Sequence, residues 1–305
     1  MAKTREIKGR IKAVSNIQRI TKTMQMIATA RFQAAQRRAL AAQPYSRKIA
    51  EMVGDLASAL ASNNGEAGGS NAAADAGSSI QHPLLRKPSG NGKQLLLVLT
   101  SNRGLCGGYN GAILRGAITF IKQNSNRPLD VQVVGKKGAN YLKFAKVPVQ
   151  EFLAQFSDKI EYPKVEALAD KYMDAFSAGE YDAVYVAYMS FVSAARQTPV
   201  VQQLLPLQPP KAKEQTHKTQ AQYEFSPSPK DLLAEILPVT VKMQLFQAFN
   251  ESNVSEHIAR MVAMKAATDN AAKMRKSLTR RFNRARQAAI TTELSEIVAG
   301  AAALQ

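Results

Sequence analysis

Both ends of this 305-residue chain carry exceptionally long stretches with the three-to-four spacing of a helix, and almost nothing in them breaks it. In the first 60 residues the only proline is Pro44 and the only glycines are Gly9 and Gly54. Apolar residues fall at Ile7, Ile11, Val14, Ile17, Met24 and Ile27, then at Leu40, Ile49, Met52, Val53 and Leu56. Pro44 is expected to kink the helix rather than end it. From Pro229 a second pattern runs almost to the C-terminus, with Pro238 near its start. Its seam is Val254, His257, Met261, Met264, Thr268, Ala271, Met274, Leu278, Phe282, Ala285 and Ala289, small residues mixed with large ones. At ~1.5 Å per residue the two helices would span about 85 Å and about 105 Å, too long for a compact domain of this size. Two long helices, each with one apolar stripe, most simply pair with each other. A chain that returns through a folded middle pairs them antiparallel.

The middle has a different grammar. QLLLVLT (94–100) is a buried-strand run, followed by the glycine-rich SNRGLCGGYNG and a helical segment, Ala112 to Gln123. LDVQVVG (129–135), VPVQEFL (147–153), YDAVYVAYM (181–189) and Pro199 to Leu207 read as further strands, with a helix over Lys164 to Ala178. Strands alternating with helices imply βαβ units and a mainly parallel sheet. The expected fold is therefore α/β plus a long antiparallel two-helix coiled coil formed by the N- and C-terminal helices. The boundaries are a coiled-coil helix at 1–61, a flexible Gly/Ser/Asn/Ala linker or insertion at 62–93, and an α/β (Rossmann-like) domain at 94–210. A proline-punctuated loop at 211–228 and the second coiled-coil helix at 229–305 complete the chain.

Chemistry-bearing motifs are scarce. GLCGGYNG (104–111) lies between a strand and a helix, where a phosphate cradle would lie, but its spacing is neither GxGxxG nor GxxxxGK[ST]. A tight turn needing glycine conformations is the simpler reading. One cysteine, Cys106, excludes an internal disulfide and any cysteine-pair zinc site, and His82, His217 and His257 are scattered. No metal or cofactor is expected. No run reaches the ~20 apolar residues needed to cross a bilayer. MAKTREIKGR lacks the apolar stretch of a secretory signal.

Charge is the remaining signal. Lys and Arg number 41 against 23 Asp and Glu, a net +18. It is concentrated: Lys3, Arg5, Lys8, Arg10, Lys12, Arg19 and Lys22 stand against Glu6. Lys265, Lys273, Arg275, Lys276, Arg280, Arg281, Arg284 and Arg286 stand against Asp269. Antiparallel pairing would lay these stretches side by side. Such a segment suits nucleic acid, an anionic membrane surface or an acidic protein cavity. For nucleic acid, the basic residues are not interleaved with stacking aromatics and no DNA-reading motif is present.

Four blocks carry a resemblance. They are REIKGRIKAVSNIQRITKTMQMIATAR at the start, TSNRGLCGGYN after the first strand, ARMVAMKAATDNA at 259–271, and a C-terminal signature at Ile290, Thr291, Glu293, Glu296, Gly300, Ala301 and Ala303. With them the chain resembles the gamma subunits of F-type ATP synthases, of bacterial type, over its whole length except about 62–92. The resemblance implies a non-catalytic central stalk. Paired terminal helices turn inside a hexamer of alpha and beta subunits, while the α/β domain sits with the epsilon subunit on the membrane ring of c subunits. Nucleotide chemistry then belongs to the beta subunits, and membrane association comes only through partners, on the cytoplasmic side of a bacterial plasma membrane. Matched by position, Met24, Arg286, Gln287, Thr291 and Glu293 would touch the alpha/beta hexamer, and Tyr223 and Glu224 the c ring or epsilon. The smooth tail AGAAAL suits a low-friction apolar sleeve. Cys106 stands alone, without the cysteine pair of plant relatives, so thiol regulation is not expected.

Overall fold

The computed structural model describes residues 2–63, 83–86, 92–156, 160–207 and 229–302. Most of the sequence-derived linker (62–93) and the whole loop at 211–228 therefore lie outside the described residues, as do Tyr223 and Glu224. Helix α1 spans Ala2–Asn63, 62 residues, and passes through Pro44 without interruption. Strand β1 (Gln94–Leu99), helix α2 (Tyr109–Gln123), β2 (Leu129–Val134), α3 (Lys136–Phe144), β3 (Glu151–Phe152), α4 (Tyr162–Ser177), β4 (Ala183–Phe191) and β5 (Gln197–Leu205) follow. Helix α5, Pro229–Ala302, closes the chain with 74 residues. These elements fall into two compact units: Met1–Arg31 with Leu105–Gly107 and His257–Gln305, and Phe32–Gly104 with Gly108–Glu256.

The larger unit is built on a five-stranded sheet in the order β3-β2-β1-β4-β5. The β1–β2, β1–β4 and β2–β3 pairs are parallel and only β5 runs antiparallel, against β4. Every residue of β1 is buried, as its unbroken apolar run requires of a central strand covered on both faces. Leu95, Leu97, Val184 and Leu205 join Val165, Leu168, Tyr172 and Phe176 of α4 in one core. Ile49 of α1 and Leu237, Val241, Leu245 and Phe249 of α5 belong to the same cluster. The long helices are thus structural members of this unit as well as of the other.

Two expectations need correcting here. VPVQEFL (147–153) is not a full strand: pairing is confined to Glu151 and Phe152. The preceding residues are consumed in stopping α3, a helix that the sequence pattern did not reveal. Lys146 takes a left-handed φ of 56° and Val147 N–H donates to the Leu142 carbonyl at 3.0 Å, a helix-terminating turn in which glycine is usual. Pro148 then has no N–H to give a sheet. Gly135, by contrast, has the conformation its residue type allows. Its φ is 96°, and a Cβ there would overlap the Thr100 carbonyl.

The smaller unit is the helix pair. Thr268 Oγ1 donates to Thr21 Oγ1 at 2.8 Å, both groups buried, which fixes the antiparallel register. In steps of three and four, that register sets Ile7 opposite Phe282, Ile11 opposite Leu278, Gln18 opposite Ala271 and Gln25 opposite Met264. The single apolar stripe expected on α1 is therefore wrong beyond Val14. Ile17, Met24 and Ile27 are 52%, 38% and 50% exposed, and the seam passes instead through Gln18, Thr21, Gln25 and Ala28. The reason is one of phase. Ile11, Val14 and Ile17 make two successive steps of three, which carries the apolar pattern one residue, about 100° of helix, off the seam.

Candidate functional site

The crevice where an open α/β sheet would receive a nucleotide is occupied by the protein's own groups. Such a ligand would sit beyond the carboxyl ends of β1 and its neighbours, on helix N-terminal amides. At α3, Lys136 N–H donates to Asn102 Oδ1 (3.3 Å), Lys137 N–H to the Ser101 carbonyl (3.2 Å) and Gly138 N–H to Thr100 Oγ1 (3.1 Å). Thr100 Oγ1 in turn donates to the Val134 carbonyl at 2.7 Å. At the loop before α2, Ser101 N–H donates to Asn110 Oδ1 (3.0 Å) and Ser101 Oγ to the Arg103 carbonyl (2.6 Å). Three of the four N-terminal amides of α3 are thus spoken for, and the polar residues around the glycine loop bind one another.

The glycine-rich segment behaves as a turn. Gly107 has φ of 58°, and a Cβ added there would lie 3.8 Å from the Ala263 Cβ and 4.0 Å from the Ala259 carbonyl, so a larger residue would be strained by conformation before space became an issue. Cys106, the chain's one cysteine, is buried. Among the described residues, no group of three or more His, Cys, Asp or Glu is arranged to hold a metal ion. An open groove beside β3, lined by Gln132, Glu151, Lys171, Tyr172 and Tyr181, is likewise satisfied internally. Tyr172 OH donates to Gln132 Oε1 (2.7 Å), Gln132 Nε2 to Glu151 Oε2 (3.2 Å), and Lys171 pairs with the same carboxylate oxygen at 2.9 Å. Burial holds the Tyr172 hydroxyl well above its ordinary range, so it remains a neutral donor.

What the chain offers to a partner lies on the helix pair. The Thr21–Thr268 register places the basic stretch 3–22 of α1 beside 267–286 of α5, and every described Lys and Arg in these two stretches is exposed. One ion pair within them, Arg10 to Glu6 at 2.7 Å, is fully at the surface. Beside this charge, Ile17, Ile20, Met24 and Ile27 form a second stripe with its own three-and-four spacing, turned about 100° from the seam. Ile20 was missed in the sequence. The seven-residue recurrences Ile17–Met24 and Ile20–Ile27 were the available signal for two stripes rather than one.

The same register brings Ala2 level with Gln287, so among the described residues none of α1 lies beside α5 from Ala288 outward. Every residue from Ile290 to Ala299 is exposed, including Ile290, Leu294, Ile297 and Val298 at 52%, 59%, 68% and 60%. Of the expected contact residues, Arg286 and Gln287 sit just before this point and Thr291 and Glu293 past it. Arg286, Gln287, Thr291 and Glu293 are all exposed on α5, and the Thr291 hydroxyl donates back to the Gln287 carbonyl at 3.0 Å. Met24 is on α1, far along the coil from them.

Comparison with known proteins gives a consistent result. The family model described as ATP synthase matches residues 3–304. The ATP synthase gamma chain of Rhodopirellula baltica is 40% identical over 312 residues, covering all of both chains. That of Geotalea daltonii is 38% identical over 307 residues with the same complete coverage. Among solved structures, the rotor of the Euglena gracilis mitochondrial ATP synthase matches with a TM-score of 0.62 at 16% identity, over 95% of this chain and 99% of that one. A chain of the central stalk and c ring of the Tetrahymena thermophila enzyme matches with a TM-score of 0.54 at 20% identity, over 81% and 99%. These two likenesses concern the fold.

Proposed function

This chain belongs to the ATP synthase family, as one of its gamma chains, and we propose from that premise how its surfaces divide the work of a rotor. It is the central stalk of the enzyme: the antiparallel helix pair turns within the ring of alpha and beta subunits. The α/β unit stands with epsilon on the c ring. The basic coiled coil has no nucleic acid to read. Its charge faces acidic protein surfaces, and its apolar stripe, Ile17 to Ile27, and apolar end, Ile290 to Val298, are the surfaces a sleeve of partner side chains would cover.

The observation that carries this is the unpartnered end of α5. A single helix beyond Ala288, exposing four large apolar side chains, has too little packing to hold itself. A socket supplied by other subunits gives it that packing, and Arg286, Gln287, Thr291 and Glu293 stand at its mouth as polar catches. Met24 meets the hexamer lower on the coil. Tyr223 and Glu224 are assigned to the c ring or epsilon by family position alone. Coupling then follows from differential contact: the helix pair has unlike faces, so each angle of rotation stabilises a different conformation at each surrounding site.

The stalk itself performs no nucleotide chemistry. In support, the amides that would cradle a phosphate at α3 already have protein acceptors. Among the described residues no helix is long and apolar enough to cross a membrane. Attachment to the cytoplasmic face of a bacterial plasma membrane is through the ring and epsilon. The segment division proposed for the chain is that of the sequence pattern: helices 1–61 and 229–305, a passive insertion at 62–93, the α/β domain at 94–210 and a loop at 211–228.

The test is the double variant Arg286→Ala with Gln287→Ala. Coupled ATP synthesis or hexamer assembly should fall at least severalfold while the unfolding midpoint of the isolated chain stays unchanged. Undiminished coupled synthesis would remove these residues from the catch. Pull-down of the parent chain should bring alpha and beta subunits with it, and recovery of nucleic acid instead would overturn the rotor reading.

A further inference from the structure

Helix α5 changes the way it is held within the α/β unit. From Leu237 to Phe249 the grip is mainly apolar: Leu237, Val241, Leu245, Ala248 and Phe249 are buried, and the Phe249 ring centroid lies 4.7 Å from that of Phe156, with Lys242 paired to Glu166 and Asp170 at the edge of this face. Over the next turn and a half the grip is made of directed bonds. Glu251 Oε2 accepts from Ser190 Oγ at 2.9 Å and from Phe191 N–H at 3.2 Å, while its Oε1 accepts from the Gln247 amide at 2.9 Å. Tyr109 OH donates to the Ser252 carbonyl at 3.1 Å and lies 2.6 Å from Ser252 Oγ. Ser255 Oγ donates to the Met189 carbonyl at 3.3 Å. Ser252 and Ser255 are 6% and 1% exposed, so the bonds of these two serines are made away from water, while those of Glu251 are part-buried.

The spacing puts Glu251, Ser252 and Ser255 on one face of α5, against the end of β4 and the first residue of α2. Apolar burial resists pulling the helix away, but it is non-directional and sets the helix's angle about its own axis only loosely. Hydrogen bonds weaken steeply when bent, so three anchored residues on one face fix that angle. Immediately beyond, at Glu256, α5 leaves this unit and continues unbroken to Ala302.

We propose that the Glu251–Ser252–Ser255 clasp is the torque joint of the stalk, the place where turning of the α/β unit is handed to helix α5. The proposal rests on the rotor function above. Under load an apolar grip would let the helix creep about its axis, whereas the clasp makes unit and helix turn as one. Glu251 is a positioning residue in this scheme, bridging two groups of β4 at once.

The experiment uses the whole enzyme, its alpha/beta hexamer fixed to a surface and the helix pair stalled by withholding ATP. A bead is attached to the α/β unit through Phe144→Cys, a position 85% exposed in a chain whose one native cysteine is buried. Angular fluctuation of the bead reads the stiffness of the joint. In Glu251→Gln the variance should rise at least twofold and ATP-driven proton pumping should fall by a similar factor, with ATP hydrolysis by the detached alpha/beta/gamma complex unchanged. Ser255→Ala should give a smaller rise. A purely structural role would lower the unfolding midpoint and leave the variance of the assembled enzyme as it was, and that result would overturn the proposal. Ser190→Ala removes the same bond from the other side and carries the test should Glu251→Gln not assemble. A parent chain that fails to join alpha and beta subunits overturns the rotor reading, and the clasp with it.

Discussion

In the α/β unit Leu95, Leu96, Leu97 and Val98 have no exposed surface at all. In the helix pair the buried seam positions include Thr21, Ala28, His257, Met264, Thr268 and Ala271, and large apolar side chains such as Ile20 and Ile297 stand in the open. The first arrangement is that of a part whose stability is its own. The second leaves many large apolar groups on the outside and mixes small and polar residues into its seam beside Ile11, Met264 and Leu278. Small residues let the helices approach closely, and a buried threonine pair specifies register at a cost in stability. What separates the two regions is therefore the destination of their apolar surface: inward for the unit that must hold shape, outward for the coil that must be held by others.

The contrast is broken most severely, if it is mistaken, by substitutions where α5 enters the core. Leu245→Ala deletes a side chain with no exposed area and should cost about 2–5 kcal/mol in urea unfolding of the chain. A cost below 1 kcal/mol would mean that α5 is not part of that core. Within the coil, Ile11→Ala is expected to cost roughly 1–2 kcal/mol, because Ile11 lies in the seam, and Ile17→Ala less than about 0.5 kcal/mol, because it does not. Equal costs would return Ile17 to the seam.

The threonine pair sharpens the comparison further. Thr21→Ala should cost about 1 kcal/mol by leaving the Thr268 hydroxyl without its cross-helix partner, whereas the double change to valine should be close to neutral. A double-mutant cycle on unfolding free energy measures the difference. The smallest effect is expected at Lys242, which pairs with Glu166 and Asp170, both at 3.0 Å, and fastens α5 to α4. Hydrogen bonds to Glu166 first, and to Asp170, hold its ammonium above the ordinary lysine range. A folded-state pKa raised in this way contributes stability that is complete below the unfolded value, ~10.4, and is lost as pH climbs through the folded value. Buried tyrosines such as Tyr188, also raised by burial, lose stability in the same direction in parent and variant alike. Lys242→Gln should therefore lower stability by under about 1 kcal/mol at pH 8, with the gap narrowing as pH rises above the unfolded lysine value in urea melts.

Much of this was legible in advance. β1 and β4 announce themselves because a buried central strand is a nearly unbroken apolar run, while β2 and the edge strand β5 show through shorter Val- and Leu-rich runs. α3 was hidden because KKGANYLKF offers too few apolar residues to show a period, and its termination depends on a left-handed lysine that no residue rule would select. The contact residues proposed near the C-terminus came from the family resemblance, and their exposure on α5 was not readable from the periodicity. The seam beyond Val14 was misread because hydrophobicity was taken as a mark of burial, when here Gln18 and Gln25 turn inward and Ile17 and Met24 outward.

By itself the sequence determined the parts: two helices too long for any globule, a parallel βαβ middle, and a net charge of +18, most of it gathered in the two stretches where those helices pair. Only the tertiary structure decided which face of α1 meets α5, where α1 runs out and leaves α5 alone, and which polar groups grip α5 before it leaves the α/β unit. The reason is physical. Local periodicity is fixed by backbone geometry, which every residue carries. Register and facing are set by how two surfaces fit, and a one-residue change of phase, invisible to composition, turns a core stripe into a surface.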